Sequence, residues 1–162
     1  MSKPEDPKEL KEGDRAPNFT FSDESGASNE LRDLVKKKRA VVYFYPRDFT
    51  PGCTEEAHDF TTNYQMFQRN GIEIIGVSPD DEVSHKKFRE KMKIPYYLAS
   101  DPSNTISKSY GVYGPKKFMG KEYVGIHRST FLVNRDGYIV KVFKKVKPAE
   151  HSEEVLSAFD IG

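Results

Sequence analysis

Pro46-Arg47-Asp48-Phe49-Thr50-Pro51-Gly52-Cys53-Thr54-Glu55-Glu56 puts the only cysteine of a 162-residue chain where a strand ends and a helix begins. Upstream, Ala40-Val41-Val42-Tyr43-Phe44-Tyr45 is an unbroken β-branched and aromatic run with the length and composition of a buried strand, and Pro46 stops it. Downstream, Ala57, Phe60, Tyr64 and Phe67 recur at helical spacing, which predicts one helix running to a stop at Gly71. Cys53 lies four residues before Ala57 and therefore on the same inward face, in the first turn.

Thr50 is a favoured N-cap type, and Pro51 suits the first helical position, where its missing N–H costs nothing. On this register Cys53 is the third helical residue, the place where a capping box carries a Glu or Gln to satisfy the free N–H groups of the helix start. Those N–H groups and the helix dipole favour an anion, so a thiolate belongs there and a nucleophilic sulfur is expected. The alternative is a buried, unreactive core cysteine.

Pro46-x-x-x-Thr50-x-x-Cys53 resembles the active-site signature of the peroxiredoxins. The longer run Tyr45-Pro46…Thr50-Pro51-Gly52-Cys53-Thr54-x-Glu56-Ala57 is similar to the branch called bacterioferritin comigratory protein or peroxiredoxin Q. The resemblance runs from about Gly13 to the C-terminus. It implies an α/β, thioredoxin-like fold, with a central mixed β-sheet flanked by helices.

Length and charge agree with a single domain. The chain is long enough for one real core, and 26 Lys and Arg against 25 Asp and Glu suggest neither a nucleic acid nor an anionic membrane as partner. One cysteine allows no internal disulfide, is too few for a cysteine-based metal site, and fits a reducing, cytoplasmic compartment. The start, Met1-Ser2-Lys3-Pro4-Glu5-Asp6-Pro7, lacks the apolar core of a signal peptide, and no later run has membrane-spanning length. Residues 1–12 are expected to be a polar, mobile leader, and 13–162 a single thioredoxin-like domain.

Around the central strand and helix, Phe19-Thr20-Phe21 reads as a short edge strand followed by a turn-rich stretch from Ser22 to Ser28. Leu31, Leu34 and Val35 suggest a helical turn or two, ending in the basic run Lys36-Lys37-Lys38-Arg39, which reads as a solvated helix end. Ile72 to Ser78 is a second buried strand, and one right-handed crossover makes it parallel to the first. Asp81 to Met92 reads as a charged helix with Val83 and Phe88 as its apolar contacts. Tyr96 to Ser100 forms another strand, and a polar cap cluster at Asp101 to Asn104 starts a short helix reaching Tyr110. Gly111 to Gly120 is expected to be a loop. Ser129 to Val133 and Tyr138 to Phe143 make a hairpin about Asn134-Arg135-Asp136-Gly137, and Glu150 to Phe159 a last amphipathic helix.

The resemblance implies a role for each candidate site residue. Cys53 is the peroxidatic nucleophile, attacking a hydroperoxide and leaving as a sulfenic acid. Thr50 bonds the thiolate and the incoming peroxide, beside its role as a cap. Pro46 walls the pocket, beyond ending a strand. O–O cleavage develops negative charge, which calls for a fixed cation. Arg128, in His127-Arg128-Ser129-Thr130, matches the family's arginine, whereas Arg47 sits at a position the family leaves variable. Glu56 is expected to hold the arginine, the other reading being a favourable charge in the first helical turn. Glu55 is expected at the surface.

Relatives often carry a second, resolving cysteine five residues after the first. That position here is His58, which lies off the Cys53 face, so a one-cysteine type is expected. The sulfenic acid then needs an external thiol, either a thioredoxin-like or glutaredoxin-like protein or a small thiol, and the working form is a monomer or homodimer. His58, His85, His127 and His151 show no metal-binding spacing and no accompanying carboxylate cluster, so neither metal nor cofactor is expected. The lone cysteine also excludes a Cys-x-x-Cys oxidoreductase. A non-enzymatic thioredoxin-fold chaperone or binding module with an inert thiol is the competing reading.

Overall fold

In the computed structural model, which describes residues 9–144 and 146–159, the strands form one five-stranded sheet and two separate ribbons. The ordered elements are β1 (Thr20–Ser22), β2 (Ser28–Glu30), α1 (Leu31–Val35), β3 (Arg39–Phe44), α2 (Pro51–Thr62), α3 (Tyr64–Arg69), β4 (Ile72–Ser78), α4 (Glu82–Met92), β5 (Tyr97–Ser100), α5 (Thr105–Ser109), β6 (Tyr113–Phe118), β7 (Lys121–Ile126), β8 (Ser129–Val133), β9 (Ile139–Phe143) and α6 (His151–Ala158). The main sheet has the order β5-β4-β3-β8-β9. Its β3, β4 and β5 run parallel, and β8 and β9 join antiparallel on the other side of β3.

Alternation along β3 divides the core in two. Ala40, Val42 and Phe44 enter one apolar cluster with Phe21, Leu31, Val35 and Tyr110, while Val41 and Tyr43 enter the other with Cys53, Ala57, Phe60, Phe67, Phe88 and Val155. A strand buried on both faces reads as an unbroken apolar run, which is why 40–45 showed no alternation in sequence. The helices α2, α3, α4 and α6 therefore cover the face that holds the thiol. Gly76 pairs with Tyr43, and a Cβ there would lie 2.9 Å from the Tyr43 ring and hydroxyl, so the bare backbone makes room for the tyrosine beneath α2.

Several expectations change. The helix after Cys53 is two helices, broken at Asn63, whose φ of −101° and ψ of 9° are not helical. The Asn63 amide donates to the Asp59 carbonyl and to the Ser152 hydroxyl, offering the backbone a local alternative to helix. On α4, Val83 is 64% exposed, and the buried residues are His85 and Phe88. The expected edge strand near Phe19 is β1, which pairs with β2 in a ribbon of its own rather than joining the main sheet.

The stretch read as a loop, Gly111 to Gly120, contains β6, which forms a hairpin with β7 about Met119-Gly120. Its strands carry exposed lysines in place of an apolar run, so the pattern was not legible. Of the expected leader, residues 1–8 lie outside the described residues, and Leu10 is buried in the core. No helix among the described residues is long and apolar enough to cross a membrane.

Candidate active site

Between β3 and α2 the chain makes a short, heavily bonded loop. Tyr45 prolongs the parallel ladder through its N–H to the Val77 carbonyl, and its hydroxyl donates to Asp48 Oδ1 at 2.7 Å. The Asp48 N–H donates to Asp80 Oδ2 at 2.7 Å. Phe49 then takes a left-handed φ of 66°, uncommon for an aromatic residue, and its ring packs edge-on against Phe88 with centroids 5.1 Å apart. This turn delivers Thr50 to the N-cap with extended backbone and Pro51 to the first helical position.

Thr50 caps by backbone alone. Its hydroxyl donates to the Arg47 carbonyl at 2.8 Å, with no side-chain bond to the free N–H groups of the helix. The expected side-chain cap is therefore absent, because that hydroxyl closes the loop instead. Nor does it donate to the sulfur. Pro46 is half-buried at the end of the strand, and Arg47 is exposed.

Cys53 is 1% exposed, and Arg128 Nη2 donates to its Sγ at 3.1 Å. The other terminal nitrogen, Nη1, donates to Glu56 Oε1 at 2.5 Å. Arg128 thus bridges one turn of α2, from the third helical residue to the sixth. The residue reaches there because it stands between β7 and β8, and β8 is the immediate neighbour of β3. Gly52 completes the fit, since a Cβ at that position would lie 3.2 Å from Nη2 and 3.9 Å from Pro148 Cγ. The guanidinium therefore packs against bare backbone, with Pro148 beside it.

Glu56 is fully buried, and its Oε2 has no hydrogen-bond partner among the described residues. Burial pushes its carboxyl up to about 7, against the pull of Arg128. For Arg128, burial alone would lower the value, but the charges of Glu56 and Cys53 outweigh it and hold it above the ordinary one. Behind the arginine, His151 Nε2 meets the Thr130 hydroxyl at 2.7 Å, and its buried Nδ1 has no hydrogen-bond partner among the described residues. Burial, and then the nearby Arg128 charge, push this imidazole down to about 4, so it stays neutral in the fold.

The carboxylate of Asp59 on α2 accepts from both the N–H and the hydroxyl of Ser152, at 2.6 and 2.8 Å. It thereby supplies from outside the cap that α6 lacks at its own N-cap, Glu150.

On the other side of the loop, Asp48 and His85 form a second buried pair with Nδ1 to Oδ2 at 2.7 Å. The Ser84 hydroxyl also donates to Asp48 Oδ2, and His85 Nε2 faces the Ala99 carbonyl at 3.1 Å. With Asp80 these two residues bring three ligand-type atoms within 4.8 Å, a carboxylate–histidine cluster that sequence spacing did not reveal. Asp80 Oδ2 already accepts from the Asp48 N–H and the Ser78 hydroxyl, so protein donors occupy this cluster.

The fold therefore brings Cys53, Arg128 and Glu56 into direct contact, with Thr50 one helical turn before the sulfur and Pro46 at the strand end. Arg47 enters the bonding through its backbone carbonyl. Glu55 and His58 are exposed, as the helical phase of α2 requires. Asp48, Asp59, His85, His151 and Pro148 carried no sequence signal, because their partners lie 21 to 93 residues away or act through packing alone.

A cysteine held by a helix start and a guanidinium, on a thioredoxin-like sheet, defines a thiol enzyme. The chain belongs to the AhpC/TSA family, whose model matches residues 12–142. It is similar to peroxiredoxin Bcp of Bacillus subtilis, 42% identical over 89% of this chain and 91% of that one, and to peroxiredoxin Bcp of Escherichia coli K12, 39% identical over 91% and 94%. Among solved structures, the bacterioferritin comigratory protein of Xanthomonas campestris superposes with a TM-score of 0.81 at 37% identity, covering 88% of this chain and 90% of that one. A peroxiredoxin Q mutant from Xylella fastidiosa superposes with a TM-score of 0.86 at 30% identity, covering 94% and 97%. The chain is a thiol-dependent peroxidase of the peroxiredoxin class, and a peroxide substrate and a thiol reductant follow from that class.

Proposed function

We propose that the chain reduces hydrogen peroxide and organic hydroperoxides in a one-cysteine cycle centred on Cys53, with Arg128, Thr50, Pro46 and Glu56 as its site. The carrying observation is the 3.1 Å bond from Arg128 Nη2 to Sγ. The thiolate attacks the terminal peroxide oxygen and the O–O bond breaks. The departing alkoxide or hydroxide takes up a proton, leaving a Cys53 sulfenic acid. Arg128 offsets the charge on the sulfur and then on the leaving oxygen. Glu56 holds the arginine in place. The Thr50 hydroxyl, its proton on the Arg47 carbonyl, keeps its lone pairs for the peroxide O–H. Pro46 shields the pocket from water.

With one cysteine in the chain, an external thiol attacks the sulfenic acid, releasing water and forming a mixed disulfide, and a second thiol restores Cys53. A thioredoxin-like or glutaredoxin-like protein or a small thiol fills this role. Organic peroxides are included because the Xanthomonas relative is described by its alkyl peroxide reduction activity. The role is antioxidant, the setting a reducing cytoplasm, the catalytic unit a single domain to whose core Leu10 also belongs, and the working form a monomer or homodimer.

The test is peroxide consumption by wild type and by Cys53→Ser. The serine variant is expected to keep its circular dichroism and lose all turnover; retained turnover would refute the reading. Without a thiol donor the wild type should complete about one turnover and stall, gaining one oxygen by intact mass and a second under excess peroxide. Repeated turnover without thiol would mean that another group carries the chemistry.

A further inference from the structure

The β6–β7 hairpin stands outside the main sheet and leads directly into Arg128. Only His127 separates the end of β7 from the arginine, and the root is pinned by His127 N–H to the Val112 carbonyl at 2.7 Å and Lys116 Nζ to the Ile126 carbonyl at 2.7 Å. The far end is built differently. Its two-residue turn is Met119-Gly120, with φ of 51° and 79°, the positive values that a type I′ turn requires. Asn or Asp suits the first of these positions, whereas a methionine there is strained. Met119 is nonetheless 87% exposed, so no burial offsets that strain.

Behind the tip, Tyr123 and Val124 are 46% and 58% exposed. Lys116, Lys117 and Lys121 on the same ribbon outnumber its one acid, Glu122. Lone exposed apolar residues need no explanation, but three on one cationic ribbon, with Met119 at its tip and Tyr123 and Val124 on opposite faces of β7, make the arm a contact element that a partner would grip from both sides. The order of residues says what kind. Lys121 and Glu122 lie between Met119 and Tyr123, and Tyr123 and Val124 face opposite sides of β7, so a bilayer that covered all three apolar residues would have to take in both charges as well, which is costly. A protein surface can accept apolar and charged groups side by side.

We infer that the β6–β7 hairpin is the docking arm for the acidic protein thiol that reduces the Cys53 sulfenic acid. The inference rests on the one-cysteine cycle proposed above, in which the reductant must come from outside the chain. The arm binds through Met119, Tyr123 and Val124 and selects an acidic partner through Lys117 and Lys121. Its root at Arg128 brings that partner's thiol to the site where the sulfenic acid forms. Long-range attraction of opposite charges raises the encounter rate and makes it salt-dependent.

The experiment compares turnover on dithiothreitol with turnover on an acidic thioredoxin regenerated by its reductase. One variant combines Met119→Asn, Tyr123→Ser and Val124→Ser, with asparagine suited to the turn; a second combines Lys117→Glu and Lys121→Glu. Both are expected to keep the dithiothreitol rate and to lose tenfold or more in kcat/KM toward thioredoxin. Added salt should lower the wild-type value and leave the charge-reversed variant nearly unchanged.

Equal losses on both donors would make the hairpin a support of the fold and overturn the inference. Unchanged thioredoxin kinetics would overturn it too, as would a wild type that turns over on dithiothreitol and not on thioredoxin. Hairpin-dependent sedimentation with phosphatidylglycerol vesicles, at unchanged thioredoxin kinetics, would reassign the arm to a membrane. If dithiothreitol supports no turnover in the wild type, the peroxidase cycle itself fails and the docking role falls with it.

Discussion

Glu56 and Asp48 are two buried acids on either side of the same loop, one bonded to an arginine and the other to a histidine, and they are finished to different degrees. Asp48 accepts from Tyr45, Ser84 and His85, and the second nitrogen of His85 meets the Ala99 carbonyl. Glu56 has Arg128 on one oxygen and, among the described residues, no hydrogen bond on the other, and the cation it holds is shared with the sulfur. A fully satisfied buried network rigidifies a fold, while an incompletely satisfied one stores a cost that must be met elsewhere. The Asp48 side builds the loop, and the Glu56 side holds the guanidinium that bonds the sulfur.

The largest effect expected from breaking this contrast is Asp48→Ala, which takes the buried acceptor from Tyr45, Ser84 and His85 and should cost about 1–3 kcal/mol for each group left unsatisfied, read by denaturant unfolding. A smaller loss would mean that the pair is not the anchor of the loop. Arg128→Ala should act on the other side, slowing the reaction with peroxide by roughly 10²–10³-fold, the scale of losing one donor to a developing oxyanion. Stopped-flow rates of peroxide reduction would check it. A greater loss in Arg47→Ala would move the role to the exposed arginine.

The pH dependence of stability sharpens the comparison further. Glu56 has a folded value near 7, above its ordinary 4.5, so the native state binds its proton more tightly. Its contribution is fully present below 4.5 and is lost as pH rises toward 7. His151, at about 4 against an ordinary 6.5, runs the other way: its contribution is present above 6.5 and is lost as pH falls toward 4. Between 4.5 and 6.5 the two slopes oppose. Urea midpoints against pH should therefore rise more steeply through that window in Glu56→Gln than in wild type. An unchanged slope would place no proton on Glu56.

The smallest effect is expected for Thr50→Val. It removes the bond to the Arg47 carbonyl and should cost about 1 kcal/mol. A fall in peroxide rate beyond that stability loss would support its contact with substrate, and an unchanged rate would leave it a loop closure.

The reactive half of the site was legible because it is local. Pro46, Thr50, Pro51 and Cys53 lie within eight residues, where strand end, N-cap and helical phase are properties of the chain itself. The same phase placed His58 and Glu55 outside. The arginine was legible only through the motif at His127-Arg128-Ser129, since nothing in composition says that β8 lies beside β3. The break at Asn63 escaped because its cause, Ser152, is 89 residues away. The β6–β7 hairpin escaped because its strands are polar and its turn is Met-Gly, where Asn-Gly would have announced it.

By itself, then, the sequence determined the junction that carries the thiol, the parallel β3–β4 pair and the absence of a second cysteine. These follow from periodicity, caps and counting, which act over a few residues or over none. Tertiary structure alone decided that Arg128 would divide itself between Cys53 and Glu56, that Asp59 would cap α6, and that Asp48 and His85 would close the loop from beneath. Such contacts join residues 37 to 93 positions apart, and their strength comes from the dry interior that only the assembled sheet and helices create.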